Sequence, residues 1–172
     1  MKTILVLLLA GLLCGCAAEP AWEKVEDITP VEPVAVAQQL YIHMPEEAAA
    51  PTFQDQASGE LYLCNGYTLT KQILQAGDLE KTVKSVSGLD KSQLQILQTE
   101  SNGVDRYDFV WATAAEEGLQ LGRACILDDG NYHYVVSTMA GEVEAGDLRD
   151  TWQEIFDSCC LIDPDINLRT GS

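Results

Sequence analysis

Basic side chains are scarce in this chain: ten Lys and Arg stand against 27 Asp and Glu, and the formal net charge is −17. A nucleic-acid-binding protein needs a concentrated basic patch to release counterions from phosphate, so the composition excludes nucleic acid as a partner. The same charge opposes direct contact between the protein and an anionic lipid surface. Acidity of this extent is typical of a well-solvated surface, and a cationic ligand or partner is the alternative interpretation.

The chain also lacks the motifs by which common reactions are identified. It has no glycine-rich phosphate loop, no G-x-S-x-G elbow and no C-x-x-C pair. It also has no pair of carboxylates that the sequence places in an identifiable cleft. Histidine occurs only twice. We therefore expect no catalytic residue and no cofactor, although missing motifs alone do not exclude catalysis.

The sequence contains one candidate pair of nucleophile and base, Cys125 with His133. With Asp129-Gly130 as a two-residue hairpin turn, Cys125 faces Tyr134 and His133 faces Ile126. The two side chains then point to opposite faces of the sheet. The pattern therefore argues against a dyad and predicts that His133 is a partly exposed strand residue.

Four cysteines lie in the body of the chain, at Cys64, Cys125, Cys159 and Cys160. Their spacing is not that of a metal site. They allow three ways of forming two disulfides, and three interpretations stay open. The thiols can be small buried apolar groups that stay reduced, one pair can be oxidised if the protein is exported, or the cysteines can have a redox or metal-binding role.

Long apolar runs are confined to the N-terminus, where Lys2 precedes ten residues, 4–13, that are apolar throughout. A transmembrane helix needs about 20 such residues, whereas a secretory signal has this plan. The sequence Leu13-Cys14-Gly15-Cys16 resembles the lipobox of bacterial lipoproteins. The resemblance implies that residues 1–15 are a signal peptide, that Cys16 is lipidated, and that the lipid holds the protein in a membrane. An ordinary secretory signal is the alternative.

The chain beyond Cys16 divides into three parts. Residues 16–33 contain three prolines and no periodic apolar pattern, which is typical of a flexible tether. Residues 34–161 have the apolar content of a single α+β domain. Residues 162–172, with Asp163-Pro164-Asp165, are expected to be a C-terminal tail.

Alternating apolar residues predict a first strand over 34–44, followed by a loop over 45–59. Asn65-Gly66 favours a tight hairpin with a type I′ turn, in which Cys64 pairs with Tyr67 and Tyr62 with Leu69. Asp78 and Gly88 are suitable caps for a helix over 78–87.

Evenly spaced turn residues then predict a meander of four strands near 93–100, 105–113, 119–127 and 131–139. The apolar stripe from Leu148 to Cys159 predicts a final helix over 146–160.

Two further patterns allow a functional and a structural interpretation. Asp128, Asp129 and Asn131 are weak candidates for a cation site, but Asp and Asn next to Gly are also what a hairpin tip requires. The aromatic side chains at alternate positions 107, 109 and 111 could stack on a ligand, but they are more typical of a strand that fills a core.

Two segments are similar to the Mog1/PsbP family of α/β/α sandwiches. They are 131–136, Asn-Tyr-His-Tyr-Val-Val, and 152–158, Trp-Gln-Glu-Ile-Phe-Asp-Ser, with Cys159 where the family usually has a bulky apolar residue. The resemblance implies an antiparallel sheet of about six or seven strands flanked by helices. It also implies a non-catalytic accessory or interaction domain with no catalytic residue.

We therefore expect a lipid-anchored extracytoplasmic lipoprotein that binds the membrane through Cys16 and has a possible protein partner in the cell envelope. It would lie outside a single-membrane cell, or in the periplasm or at the outer membrane. A module that binds a small ligand or cation is the second hypothesis, and an enzyme is the third.

Overall fold

A computed structural model describes residues 35–55, 59–116 and 118–162. The predicted signal peptide, the tether with Cys16, and all of the predicted tail after Ile162 lie outside the described residues. Among the helices of the described part, none combines the length and the apolar character needed to cross a bilayer.

The largest element of the described chain is an antiparallel sheet of seven strands, so the α+β class and the strand number expected from the sequence are confirmed. The elements, in chain order, are β1 (Gln39–Tyr41), β2 (Phe53–Asp55), β3 (Gly59–Leu63), β4 (Tyr67–Gln75), α1 (Leu79–Ser87), a 3₁₀ turn (Lys91–Gln93), β5 (Ile96–Ser101), β6 (Val104–Ala115), β7 (Gly118–Asp128), β8 (Tyr132–Gly141), α2 (Glu142–Asp147), α3 (Arg149–Asp157) and β9 (Cys160–Ile162). The strand order of the main sheet is β2-β3-β4-β8-β7-β6-β5, and β1 pairs with β9 in a separate two-stranded sheet.

The helices pack on opposite faces of the main sheet and bury one apolar cluster on each. On one face, Val83 of α1 packs with Phe109 and other residues of the central strands. On the other face, α3 contributes Ile155 and Phe156 to a cluster with Leu69. Both faces of the central strands are therefore buried, as the apolar pattern of β7 and β8 indicates.

The helix predicted over 78–87 is confirmed with both of its caps. The Asp78 side chain accepts a hydrogen bond from the backbone N–H of Glu80 (3.0 Å). Gly88 closes the helix at a φ of 75°, a left-handed conformation that glycine adopts without a steric penalty.

The predicted hairpin at Asn65-Gly66 is confirmed in register, since Tyr62 pairs with Leu69 and Leu63 with Thr68. The predicted turn type is wrong. A type I′ turn needs a positive φ at both central residues, and of these two only Gly66 has one (83°).

The four-strand meander is confirmed as β5 to β8, but the register predicted for its last hairpin is wrong by two residues. Cys125 pairs with Val136 and not with Tyr134. The tip consists of Gly130-Asn131, because Asp129 and Tyr132 still pair through the backbone (3.3 Å). A shift of two residues leaves every side chain on its predicted face.

The first strand is shorter than the predicted 34–44 and lies outside the main sheet. Leu40 and Ile42 are buried as the alternation predicts, but Val36 is 82% exposed. Among the described strands β1 pairs only with β9. The pairing has three residue pairs, which sets the length of β1. The predicted loop over 45–59 also contains a short edge strand, β2, which pairs with β3.

The single helix predicted over 146–160 is wrong in length and continuity. The chain forms α2 and α3 instead, with Leu148 as the junction between them. Cys160 leaves the helical path because it pairs with Tyr41. The apolar stripe itself is confirmed, and Trp152 and Cys159 are buried with the rest of it.

Candidate functional site

The candidate cation ligands Asp128, Asp129 and Asn131 meet at the tip of the β7–β8 hairpin. The Oδ1 atom of Asp128 accepts the backbone N–H of Gly130 (2.8 Å). Its Oδ2 atom lies 3.4 Å from Nε2 of His133. Among the described residues, no group of three or more His, Cys, Asp and Glu is arranged to hold a metal ion.

Asp129 is hydrogen-bonded through both of its carboxylate oxygens. Oδ1 accepts the backbone N–H groups of Asn131 (2.9 Å) and Tyr132 (2.8 Å). Oδ2 accepts the hydroxyl of Tyr134 (2.8 Å) and the amide of Gln38 (3.3 Å). Burial alone would raise the pKa of Asp129, but these hydrogen bonds outweigh it and lower the pKa. The arrangement makes Asp129 the side chain that orders the hairpin tip.

His133 is 1% exposed, so the prediction of a partly exposed residue is wrong. It pairs with Asp128 across the hairpin, not with Ile126. Its Nδ1 atom shares a hydrogen bond with Oγ1 of Thr82 on α1 (2.8 Å). Its Nε2 atom is close to Asp128 without hydrogen-bond geometry.

Thr82, His133 and Asp128 are thus arranged in space like the nucleophile, base and acid of a catalytic triad. Sequence reasoning missed this juxtaposition. Both Thr82 and His133 are buried, and their contact ties α1 to the sheet. His133 and Cys125 lie on opposite faces, as predicted: His133 contacts α1, whereas Cys125 belongs to the α3 cluster.

The alternating aromatic residues Tyr107, Phe109 and Trp111 are all buried beneath α1, which confirms the core interpretation. The Trp111 ring lies directly on the backbone of β7. A side-chain Cβ at Gly122 would overlap that ring, so this close approach depends on glycine.

Arg106 forms a half-buried polar centre on the α3 face that sequence reasoning missed. Its guanidinium donates to Asp108 through Nε (2.6 Å) and Nη2 (2.9 Å). It also donates to the carbonyl oxygens of Phe156 (2.8 Å) and Cys159 (3.3 Å) at the end of α3. The hydrogen bonds to Asp108 raise the pKa of Arg106 further, so it is a permanent cation.

Part of the α3 face is not covered by any helix of the described residues. Leu97 and Val110 are each 64% exposed there, and they are diagonal neighbours on β5 and β6 because Leu97 pairs with Asp108. We call this region the open face; its apolar members are Leu97, Val110, Ala112, Ala114 and Leu119, all exposed. A groove of about 490 Å³ runs along it between Leu97 and Arg123.

Arg123 and the end of α3 adjoin the open face. Arg123 lies opposite Val110 and covers the ring of Phe156 in the last turn of α3, with its guanidinium carbon 4.5 Å from the ring centre. Along α2 and α3 the exposed acidic residues are Glu142, Glu144, Asp147, Asp150, Glu154 and Asp157, with Arg149 as their one basic neighbour.

A second depression of about 580 Å³ lies between β1 and the β2–β4 edge of the main sheet. Its lining is mostly polar and includes Gln39, Gln54 and Gln72. Lys71 and Glu60 form an ion pair across its wall (3.4 Å).

A scan against protein-family models finds no match for this chain, and a search of curated proteins finds no matching protein.

Proposed function

We propose that this chain is a lipid-anchored extracytoplasmic lipoprotein whose folded domain binds a protein partner and performs no catalysis. The lipobox-like sequence ending at Cys16 supports the anchor. The open face supports the docking role. The layered arrangement, with α1 on one face of the sheet and α3 on the other, is what the Mog1/PsbP resemblance implies, and we extend that family's accessory or interaction role to this chain.

The observation that carries the docking role is the exposure of Leu97 and Val110 on a face that is core elsewhere. Under α3 the same face buries Leu69 and Val136 completely, whereas at β5 and β6 it is open. Apolar side chains that stand together in water mark a protein interaction site more often than isolated ones do. A partner that covers Leu97 and Val110 removes their apolar surface from water, as α3 does on its own part of the sheet. This burial stabilises the complex.

The acidic helices α2 and α3 define the chemistry of the partner. They expose side chains such as Glu142 and Asp150, and the end of α3 adjoins the open face, so a complementary surface is apolar at its centre and basic where it meets these helices. We therefore expect a basic protein partner in the cell envelope. Because rim charges act mainly on the association rate, the complex should form more slowly as the salt concentration rises.

Two leucines allow a matched test of docking. Leu97 is 64% exposed on the open face, and Leu63 is 60% exposed on β3 with its side chain on the opposite face. A photo-crosslinking residue at position 97 in intact cells should give a discrete adduct with a basic protein, and the same residue at 63 should not. Leu97→Lys should weaken the complex at least tenfold because it places an ammonium group in an apolar contact, whereas Leu63→Lys should leave it unchanged. Equal adducts, or equal loss of binding, would refute docking on the open face.

The anchor is tested separately. Cys16→Ala should move the protein from the membrane fraction to the soluble extracytoplasmic fraction, because no acyl chain is then attached. The variant should bind the partner in solution as before. Retention of the variant in the lipid phase of a detergent partition would contradict the anchor without affecting the docking proposal.

The polar depression beside β1 favours the second candidate function, a module for a small polar ligand. Gln39, Gln54 and Lys71 would supply its hydrogen bonds. A sugar or amino acid screened at 100 times its Kd should stabilise the fold by about 2.7 kcal/mol. A screen without thermal shifts would reject this candidate and leave the first one standing.

A further inference from the structure

Two of the four body cysteines meet in the core. Cys125 is fully buried at the centre of β7, and Cys159 is 5% exposed immediately after α3. Both belong to the apolar cluster of the α3 face. Arg106 lies beside both residues: it donates to the Cys159 carbonyl (3.3 Å), and its ion-pair partner Asp108 lies opposite Cys125 on the neighbouring strand.

The other two cysteines have different surroundings. Cys64 shares a hydrogen bond with Tyr67 at the β3–β4 hairpin. Cys160 is exposed on β9, where its backbone pairs with Tyr41. The structure thus brings together one pair whose members are distant in sequence.

We propose that Cys125 and Cys159 are a redox site that is converted to a disulfide when the chain folds in an oxidising compartment. All four body cysteines are free thiols in the structure. Oxidation of the two thiols needs only an oxidant, so it does not depend on the docking role of the open face.

The reaction is a thiol–disulfide exchange with a small disulfide or a thiol–disulfide oxidoreductase. The thiolate of Cys159 attacks one sulfur of that disulfide, which forms a mixed disulfide and releases one thiolate. Cys125 then loses its proton, attacks the Cys159 sulfur and expels the second thiolate. Two protein thiols are oxidised by two electrons, and the incoming disulfide is reduced to two thiols.

The surroundings favour Cys159 as the first nucleophile. The hydrogen bond from Cys125, together with the positive charge of Arg106, lowers the pKa of Cys159 despite its burial. The same hydrogen bond and burial raise the pKa of Cys125. Cys159 also lines a groove of about 400 Å³ with Arg106 and Leu127, which gives a small oxidant access to it.

The test uses the full chain with Cys14, Cys16, Cys64 and Cys160 all replaced by serine, so that only the proposed pair is left. After refolding in reduced and oxidised glutathione, trypsin without reductant should release fragments 124–149 and 150–169 as one species, 2 Da lighter than their sum. In the same background, Cys125→Ala should give no linked species, and Cys159 should carry glutathione instead. Two freely alkylated thiols after equilibration would overturn the proposal.

If the substituted chain does not fold, the disulfide is mapped in the unmodified chain instead. Fragment sequencing should place the link on Cys159 and not on Cys160, and a link through Cys160 or Cys64 would overturn it. The linkage closes 34 residues, and the chain-entropy relation then gives a rise of up to about 500-fold in the unfolded-to-folded ratio when a reductant is added. An unchanged urea midpoint in reductant would also count against a formed disulfide.

Discussion

Replacing Arg106 by methionine should destabilise the fold strongly. Methionine keeps the apolar stem of Arg106 but removes its charge and all of its donors. Asp108 then loses two hydrogen bonds, and the carbonyl groups of Phe156 and Cys159 lose the donor that closes the end of α3.

The magnitude follows from these contacts. A hydrogen bond to a charged group contributes about 1.5–3 kcal/mol when it is buried, and breaking a buried ion pair costs about 3–5 kcal/mol. The side chains of Arg106 and Asp108 are 24% and 19% exposed, so water replaces part of what is lost. We therefore expect a loss of about 3 kcal/mol from Arg106→Met, which is a large share of a total of about 5–15 kcal/mol.

Urea unfolding of four chains measures this loss. Arg106→Met and Asp108→Asn, combined in one chain, should cost at least about 1 kcal/mol less than the sum of the two single changes, because each removes the same contact. Arg149→Met is the matched control: Arg149 is exposed, and its loss should stay within about 0.5 kcal/mol. A cost below about 1 kcal/mol for Arg106→Met, or strict additivity with Asp108→Asn, would refute the role given to this centre.

Two other substitutions test the hairpin tip and the sheet core. Asp129→Asn should lower stability by about 1–2 kcal/mol at pH 7. The pKa of Asp129 is lower in the folded chain than its ordinary value of 3.8, so the stability it contributes is present above that value and disappears as the pH falls through the folded pKa. The difference between the two chains in urea midpoint should therefore shrink below about pH 4, and a constant difference down to pH 2 would contradict this assignment. Gly122→Ala should cost about 1–3 kcal/mol in thermal unfolding because its Cβ overlaps Trp111, whereas Gly77→Ala, with open space around the new Cβ, should cost nothing; equal melting shifts would show that the ring contact is unimportant.

Elements governed by local chemistry could be predicted from the sequence. The caps Asp78 and Gly88 bound α1 because they act on backbone groups within their own turn. The Tyr62 and Leu69 pair follows from the two residues of the turn between the strands. The faces of β7 and β8 were predicted even though their register was not, because a slip of two residues keeps the alternation.

Features that depend on distant residues could not be predicted. The end of α3 is decided by the pairing of Cys160 with Tyr41, which overrides the helical stripe. The alternation on β6 does place Arg106 and Asp108 on one face, but the carbonyl group of Phe156 that completes the centre is 50 residues away. The open face was missed for the same reason: its residues alternate like a core strand, and only the position of α3 leaves them uncovered.

The pairing of β1 with β9 has a consequence for how the chain is made. The first strand of the domain has its backbone partner in the last one, with Gln39 opposite Ile162. Synthesis proceeds from the N-terminus, so β1 stays unpaired until the final strand has emerged from the ribosome. Leu40 and Ile42 belong to the cluster of the α3 face, and we expect the two-stranded sheet to close late because its strands are so far apart along the chain. A nascent chain that still lacks its C-terminal strand is thus an incomplete domain.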